Sequence, residues 1–433
     1  MIKKNNIFIK STLILIISGF LTKLIGFVIK IIYTRIIGPY GISLYALATP
    51  TYSLLLSIAP MAIPIALSKI IAEHKGRSIK ILINAALILL TVNFILIFFT
   101  FLLAPIIANN FLKEPKIEII LKAMALTLPF ISISSVLKGY FAGKQNLIPH
   151  ATSNVIEQII RLIIITFVLP ILMKKNVLYA VLGLILLTIV SEICSIIVFI
   201  FFLPKHISFK NISFKPDIKI TKSILDISLP TVSSRIIGNI GYFFEPIILT
   251  HLLLKAKFSH AYILKEYGAY NAYSIALLTI PAFFINALAT ALLPEISKNR
   301  SLGNKEIVIK RIKQSLFFAL VLGFFASLFI FIYRDQLLFT LYKTTSGSNY
   351  IKILAPFFVL FYLEGIISSS LQALGKSLTI MKITFTGILI KIAFIIIFCY
   401  LKLGMYSLVI AEIINIIYVV IMGLYFLKKE IKN

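Results

Sequence analysis

Polar residues in this chain are short punctuation between long apolar runs. An apolar run of 18 or more residues is long enough to cross a hydrocarbon core of about 30 Å as a helix. Twelve such spans are predicted, near 11–34, 43–71, 81–108, 117–140, 151–173, 177–203, 223–254, 268–294, 307–332, 351–373, 378–401 and 404–427. The runs are continuous rather than alternating, which excludes a membrane β-barrel and predicts an all-α polytopic protein. The first span follows Lys3, Lys4 and Lys10 as a signal peptide would, but no small-residue cleavage site follows it, and it reads as a retained helix.

The polar connections then set the orientation. With the N-terminus in the cytoplasm, the inner connections carry Lys75, Arg77 and Lys80, a run of lysines from Lys205 to Lys222, and a basic group from Lys298 to Lys313. The inner side then holds roughly twice the Lys and Arg of the outer side, which predicts a bacterial cytoplasmic membrane protein with both termini inside. The longest connection, about 204–222, falls at the midpoint and predicts a division into an N-terminal lobe, 1–208, and a C-terminal lobe, 209–433, of six helices each.

Internal similarity agrees with that division. Thr22-Lys23-Leu24-Ile25-Gly26 in the first helix matches Ser234-Arg235-Ile236-Ile237-Gly238 in the seventh. Tyr40-Gly41 before the second helix matches Tyr267-Gly268 before the eighth, and Gly143-Lys144 after the fourth matches Gly375-Lys376 after the tenth. Six helices per half is an even number, so the repeats are parallel, about an axis along the membrane normal, an arrangement suited to alternating access.

Composition sharpens this picture in one respect. Of 433 residues 60% are hydrophobic and only 13% charged, yet Lys and Arg number 43 against 15 Asp and Glu, a formal charge of +28. Soluble domains carry about 25% charged residues. A nucleic-acid binder could share the charge but not the apolar content, so no nucleic-acid partner is expected. Cys194 and Cys399 lie in separate apolar runs and read as packing residues. No Walker A sequence, metal-ligand spacing or G-x-S-x-G appears, so neither an enzyme nor a cofactor or metal is expected.

The candidate chemistry is the charge inside the spans, which costs about 2.5–3.5 kcal/mol per residue on insertion scales. Lys23 and Arg235 each lie about 18 Å along their predicted helices at 1.5 Å per residue. Lys30 shares the face of Lys23 two turns on. Arg161 and Lys391 lie in the fifth and eleventh helices. Together these five suit a cationic cavity for a phosphate or diphosphate, which Arg grips bidentately. A structural ion pair is the competing reading for Arg161, because Glu157 lies one turn earlier. Glu157 and Glu245 are candidates for ion coupling or for structural pairing, among intramembrane acids that include Glu192, Glu364 and Glu412.

Several of these residues also carry a resemblance. Gly19-Phe20, Thr22-Lys23-x-x-Gly26-Phe27, Arg35-Ile36-Ile37-Gly38, Tyr40-Gly41-Ile42-Ser43-Leu44-Tyr45 and Pro64-x-Ala66-x-Ser68-Lys69 resemble the stage V sporulation protein B group, polysaccharide-exporter-type members of the multidrug/oligosaccharidyl-lipid/polysaccharide (MOP) flippase superfamily. Ala291-Leu292-Leu293-Pro294-Glu295-Ile296-Ser297 resembles the same group in the second half. The resemblance implies a MATE-like fold of two pseudo-symmetric six-helix lobes. It implies a flippase moving an undecaprenyl-diphosphate-linked glycan or peptidoglycan precursor, for spore cortex or cell-wall synthesis, with wall-synthesis enzymes as candidate partners. By resemblance to lipid II flippases, the basic residues of the first helix, here Lys23 and Lys30, line the cavity. Many members of the group have fourteen helices, against the twelve spans read here. A cation-coupled multidrug exporter of the same fold, and a membrane scaffold for wall synthesis, stay open as alternatives; lysines without an acid in the first helix oppose cation binding there.

Overall fold

The computed structural model describes residues 2–73, 78–203 and 217–432, with side chains described for 17–73, 79–203 and 217–431 apart from Ser234. Lys75, Arg77, Lys205, Lys210 and Lys215, assigned above to inner connections, lie outside the described residues, as does the expected 208/209 lobe boundary. Every regular element among the described residues is helical.

The apolar runs become α1 (Ile2–Ile58), α2 (Ile63–Glu73), α3 (Ser78–Pro105), α4 (Lys116–Gly143), α5 (Ile148–Lys175), α6 (Val177–Phe201), α7 (Ile218–Lys255), α8 (His260–Gly268), α9 (Ala276–Leu278), α10 (Ala282–Ser301), α11 (Lys305–Tyr342), α12 (Ser348–Ala373), α13 (Ser377–Tyr400) and α14 (Tyr406–Lys432). Ten helices among the described residues are long and apolar enough to cross a membrane, and an eleventh span is the bent pair His260–Leu278 and Ala282–Ser301. At 57 residues α1 is about 85 Å long by its helical rise, far more than one bilayer. It kinks at Gly38, where φ is +72° and Pro39 follows without an N–H, so it supplies two spans. Among the described residues the total is then the twelve read from the sequence, and the protein is a multi-pass membrane protein.

The chain divides into two compact units, residues 1–239 and 240–433. Inside unit 1, α2 and α3 pack on α4, α5 on α6, α4 on α6, and α1 on α5. Inside unit 2 the same scheme recurs, with α10 and α11 on α12, α13 on α14, and α12 on α14. The α2–α4 contact needs glycine: a Cβ on Gly139 would lie 2.6 Å from Pro64 Cα. The Pro64–Lys69 motif is thus held against α4 by backbone approach.

The second span is interrupted in both units, and each interruption frees a carbonyl that has no water to turn to. In unit 1 the break covers Ala59–Ala62, around Pro60. Buried Asn93 of α3 donates to Ala59 O at 3.1 Å, to Leu89 O at 2.7 Å and to Ser132 Oγ at 3.0 Å. In unit 2 the break precedes Pro281, and buried Tyr362 of α12 donates to Leu278 O at 2.6 Å. The interruption is shared, while the residue that satisfies it differs.

Candidate functional site

Two networks of charged residues lie among the spans, one in each unit. In unit 1, Glu157 of α5 is 6% exposed. It pairs with Arg161 at 3.1 Å one turn along the same helix, and with Lys138 of α4 at 3.7 Å. Arg161 also donates from Nε and Nη2 to Ser191 Oγ of α6, at 3.1 and 3.0 Å. Glu192, next on α6, is equally buried, and its Oε2 has no hydrogen-bond partner among the described residues. Hydroxyls flank these charges, with Ser153 and Ser195 2.5 Å apart and Ser134 3.2 Å from Ser195. Two bases thus meet two acids.

Unit 2 sets one base against more than one acid. Lys391 of α13 pairs with Glu245 of α7 at 2.6 Å and with Glu412 of α14. Glu245 also accepts from Tyr267 at 3.5 Å, and Asn271 donates to the hydroxyls of Tyr267 and Tyr242 at 3.2 and 3.1 Å. Glu364 of α12 is close enough to Glu412 for their charges to interact. The ammonium is held from two other helices, and α7 is fixed beside α13 by Gly241, whose missing Cβ makes room for Ile388.

Of the five expected basic residues, Arg161 and Lys391 therefore sit among carboxylates. Lys23 and Arg235 are exposed on α1 and α7, and Lys30 is half-buried on α1. Gly26, between the two lysines, faces Gln158 of α5, the neighbour of Glu157. Glu157 and Glu245 are both ion-paired. Lys138, which the count of inner-side bases takes as part of the connection after the fourth span, lies inside α4 and reaches Glu157, a role that its place within the predicted fourth span could have signalled. Ser191 and Asn271 carried no sequence signal, being ordinary residues, and Tyr267 stood out in the sequence only as part of the Tyr-Gly repeat, not as a partner of Glu245. No group of three or more metal-ligating side chains occurs among the described residues.

A family model described as polysaccharide biosynthesis protein matches residues 8–300, and one described as MatE matches residues 267–397. The chain is 34% identical over 396 residues to stage V sporulation protein B of Bacillus subtilis, covering 89% of this chain and 76% of that one. It is 22% identical over 417 residues to the lipid II flippase MurJ of the same organism, again covering 89% and 76%. Among solved structures it resembles a multidrug resistance MATE family transporter of the MOP superfamily in an inward-facing conformation. The TM-score is 0.75 at 16% identity, over 95% of this chain and 94% of that one, a likeness of fold. With twelve spans, the repeated helix pairing and these matches, the chain belongs to the polysaccharide biosynthesis protein family, with stage V sporulation protein B among its relatives, and is a membrane transporter of the MOP superfamily.

Proposed function

We propose that this transporter is an alternating-access flippase for a lipid-linked glycan or peptidoglycan precursor, with Lys23, Lys30 and Arg235 contacting the diphosphate. The observation that carries the reading is the exposure of Lys23 and Arg235 on membrane-spanning helices. A base carried by a membrane-spanning helix and turned to the surface of the packed helices is within reach of an anionic headgroup, which Arg can grip bidentately. Arg161 and Lys391 would join this set only on release from the carboxylates that hold them, Glu157 for the first and Glu245 with Glu412 for the second. The expected lobes, 1–208 and 209–433, are the moving parts of this proposal, with both termini cytoplasmic. The lipid II flippase among the relatives supports a lipid-linked cargo.

Reconstitution into proteoliposomes containing a fluorescent undecaprenyl-diphosphate disaccharide tests the reading. Translocation above protein-free vesicles, lost in Lys23→Ala and Arg235→Ala, is the expected result. Background translocation by folded protein would overturn it. Export of cationic dyes by the same vesicles would point instead to the multidrug alternative.

A further inference from the structure

One end of unit 2 carries a cavity of about 590 Å³ that belongs to neither charge network. It lies where α11 ends and where α8, α12 and α14 begin. The opposite end of the unit carries Lys298, Arg300, Lys305 and the terminal Lys428 and Lys429, so on the orientation expected from the basic connections the cavity opens to the outer face.

The lining narrows the class of ligand. Lys265 and Arg334 are balanced by Glu266 and Asp335, so the site has no net charge with which to select a simple anion or cation. Ala269 is its one aliphatic side chain, which opposes a lipid tail or an apolar drug. The rest is hydroxyl, amide and tyrosine: Tyr262 and Tyr406 present amphipathic rings, and Ser346 and Asn349 present donors and acceptors. Alternating ring faces and hydrogen-bonding groups of both polarities match a molecule with apolar C–H faces and a rim of hydroxyls, which is a saccharide.

The cavity is also held in shape. Tyr350 donates to Glu266, fixing one carboxylate oxygen and leaving the other for a ligand. Tyr262 accepts from Met405 N at 3.2 Å, and its ring stacks on Phe258 at 5.1 Å between centroids. Gly347, with φ at +91°, caps α12 where a Cβ would lie 2.6 Å from Ala269 O; its own carbonyl accepts from Ser274 at 2.9 Å. The first turn of α12 thus borders the cavity without a side-chain cap. Arg334 donates from Nη1 to Phe331 O at 2.8 Å and stands 3.8 Å from Asp335, which holds its guanidinium at the cavity wall.

We infer that this cavity is a saccharide-binding site on the outer face of unit 2, with Tyr262 and Tyr406 stacking on sugar rings and Glu266, Arg334 and Asp335 bonding to hydroxyls. The inference stands whether or not the protein flips lipids. Its test is titration of the full chain in nanodiscs with chitobiose, read by saturation-transfer NMR and calorimetry. Inorganic diphosphate serves as an anion control. Saturable chitobiose binding is expected, weakened at least tenfold by Tyr406→Ala and by the exposed-site variant Asp335→Asn, and unchanged by Lys23→Ala. Preserved melting temperatures establish that the variants are folded. Tighter binding of the same disaccharide on a lipid anchor would identify lipid-linked cargo as the source, and equal binding a released glycan. Absence of saturable binding to folded protein, binding unaltered in both variants, or displacement by diphosphate would each overturn the inference.

Discussion

Unit 1 and unit 2 share a scheme of helix pairing but differ in the sign of their embedded charge. In the first, Lys138 and Arg161 meet Glu157 and Glu192, and Lys23 and Lys30 add further bases on α1; in the second, Lys391 faces Glu245 and Glu412, with Glu364 beside them. Duplication preserved the scaffold because packing requires complementary shape along a whole helix. Single charges are not constrained in that way, and the two copies diverged into a basic half and an acidic half. On the function proposed above, the two polarities would serve different partners, an anionic cargo and protons or cations.

The largest test of this contrast is Lys391→Ala. It leaves two carboxylates together with no base, and a loss of about 3–5 kcal/mol in detergent unfolding is expected, as for a broken buried pair. Restoring neutrality with Glu245→Gln and Glu412→Gln should recover most of it. The counterpart in unit 1, Arg161→Ala, leaves Lys138 beside Glu157 and removes a base that is partly exposed, so a smaller loss of about 1–2 kcal/mol is expected. Equal losses would show that the two networks are equivalent after all.

The broken second spans give the next comparison. Asn93→Ala removes the donor to Ala59 O and strands Ser132, with an expected cost of about 2–3 kcal/mol. Tyr362→Phe removes one bond to Leu278 O and should cost about 1–2 kcal/mol. Thermal melting of the two variants side by side ranks them.

Lys23→Ala and Arg235→Ala are expected to leave melting within about 0.5 kcal/mol, because both side chains are exposed. Translocation should fall at least tenfold, equivalent to about 1.4 kcal/mol. Strong destabilisation with intact transport would turn these residues into structural ones.

The smallest effect lies at the start of α7. Asp217 accepts from Lys80 at 2.7 Å and caps the helix at Lys219 N and Ile220 N, at 3.0 and 3.3 Å. The Lys80 ammonium, followed by the Ile220 N–H, holds the Asp217 carboxyl below its ordinary value. A lowered folded value means that the contribution is fully present above the unfolded value of about 3.9 and is lost as pH falls through the folded one. Melting measured between pH 5 and 3 should therefore drop more in wild type than in Asp217→Asn.

Much of the scaffold is legible in the sequence. Hydropathy marks each crossing because about 20 apolar residues are needed whatever they pack against. The bend after Pro60 and the kink at Gly38-Pro39 are local backbone chemistry. The Arg161–Glu157 pair is within reach of the sequence too, since four residues make one turn. The Lys391 cluster is not. Its carboxylates stand on α7 and α14, and no spacing rule connects Lys391 to Glu245 across such a separation. Lys138 is hidden for a related reason: near a helix end, a lysine that sets topology and one that bends inward to Glu157 have the same sequence signature.

The sequence by itself determined that the chain is helical and crosses a membrane many times, because that depends on residue order and helical rise alone. Tertiary structure decided which charges are neutralised. Depth is a coordinate along one helix, whereas pairing depends on which face of which neighbour stands opposite, and that is fixed only when the helices pack.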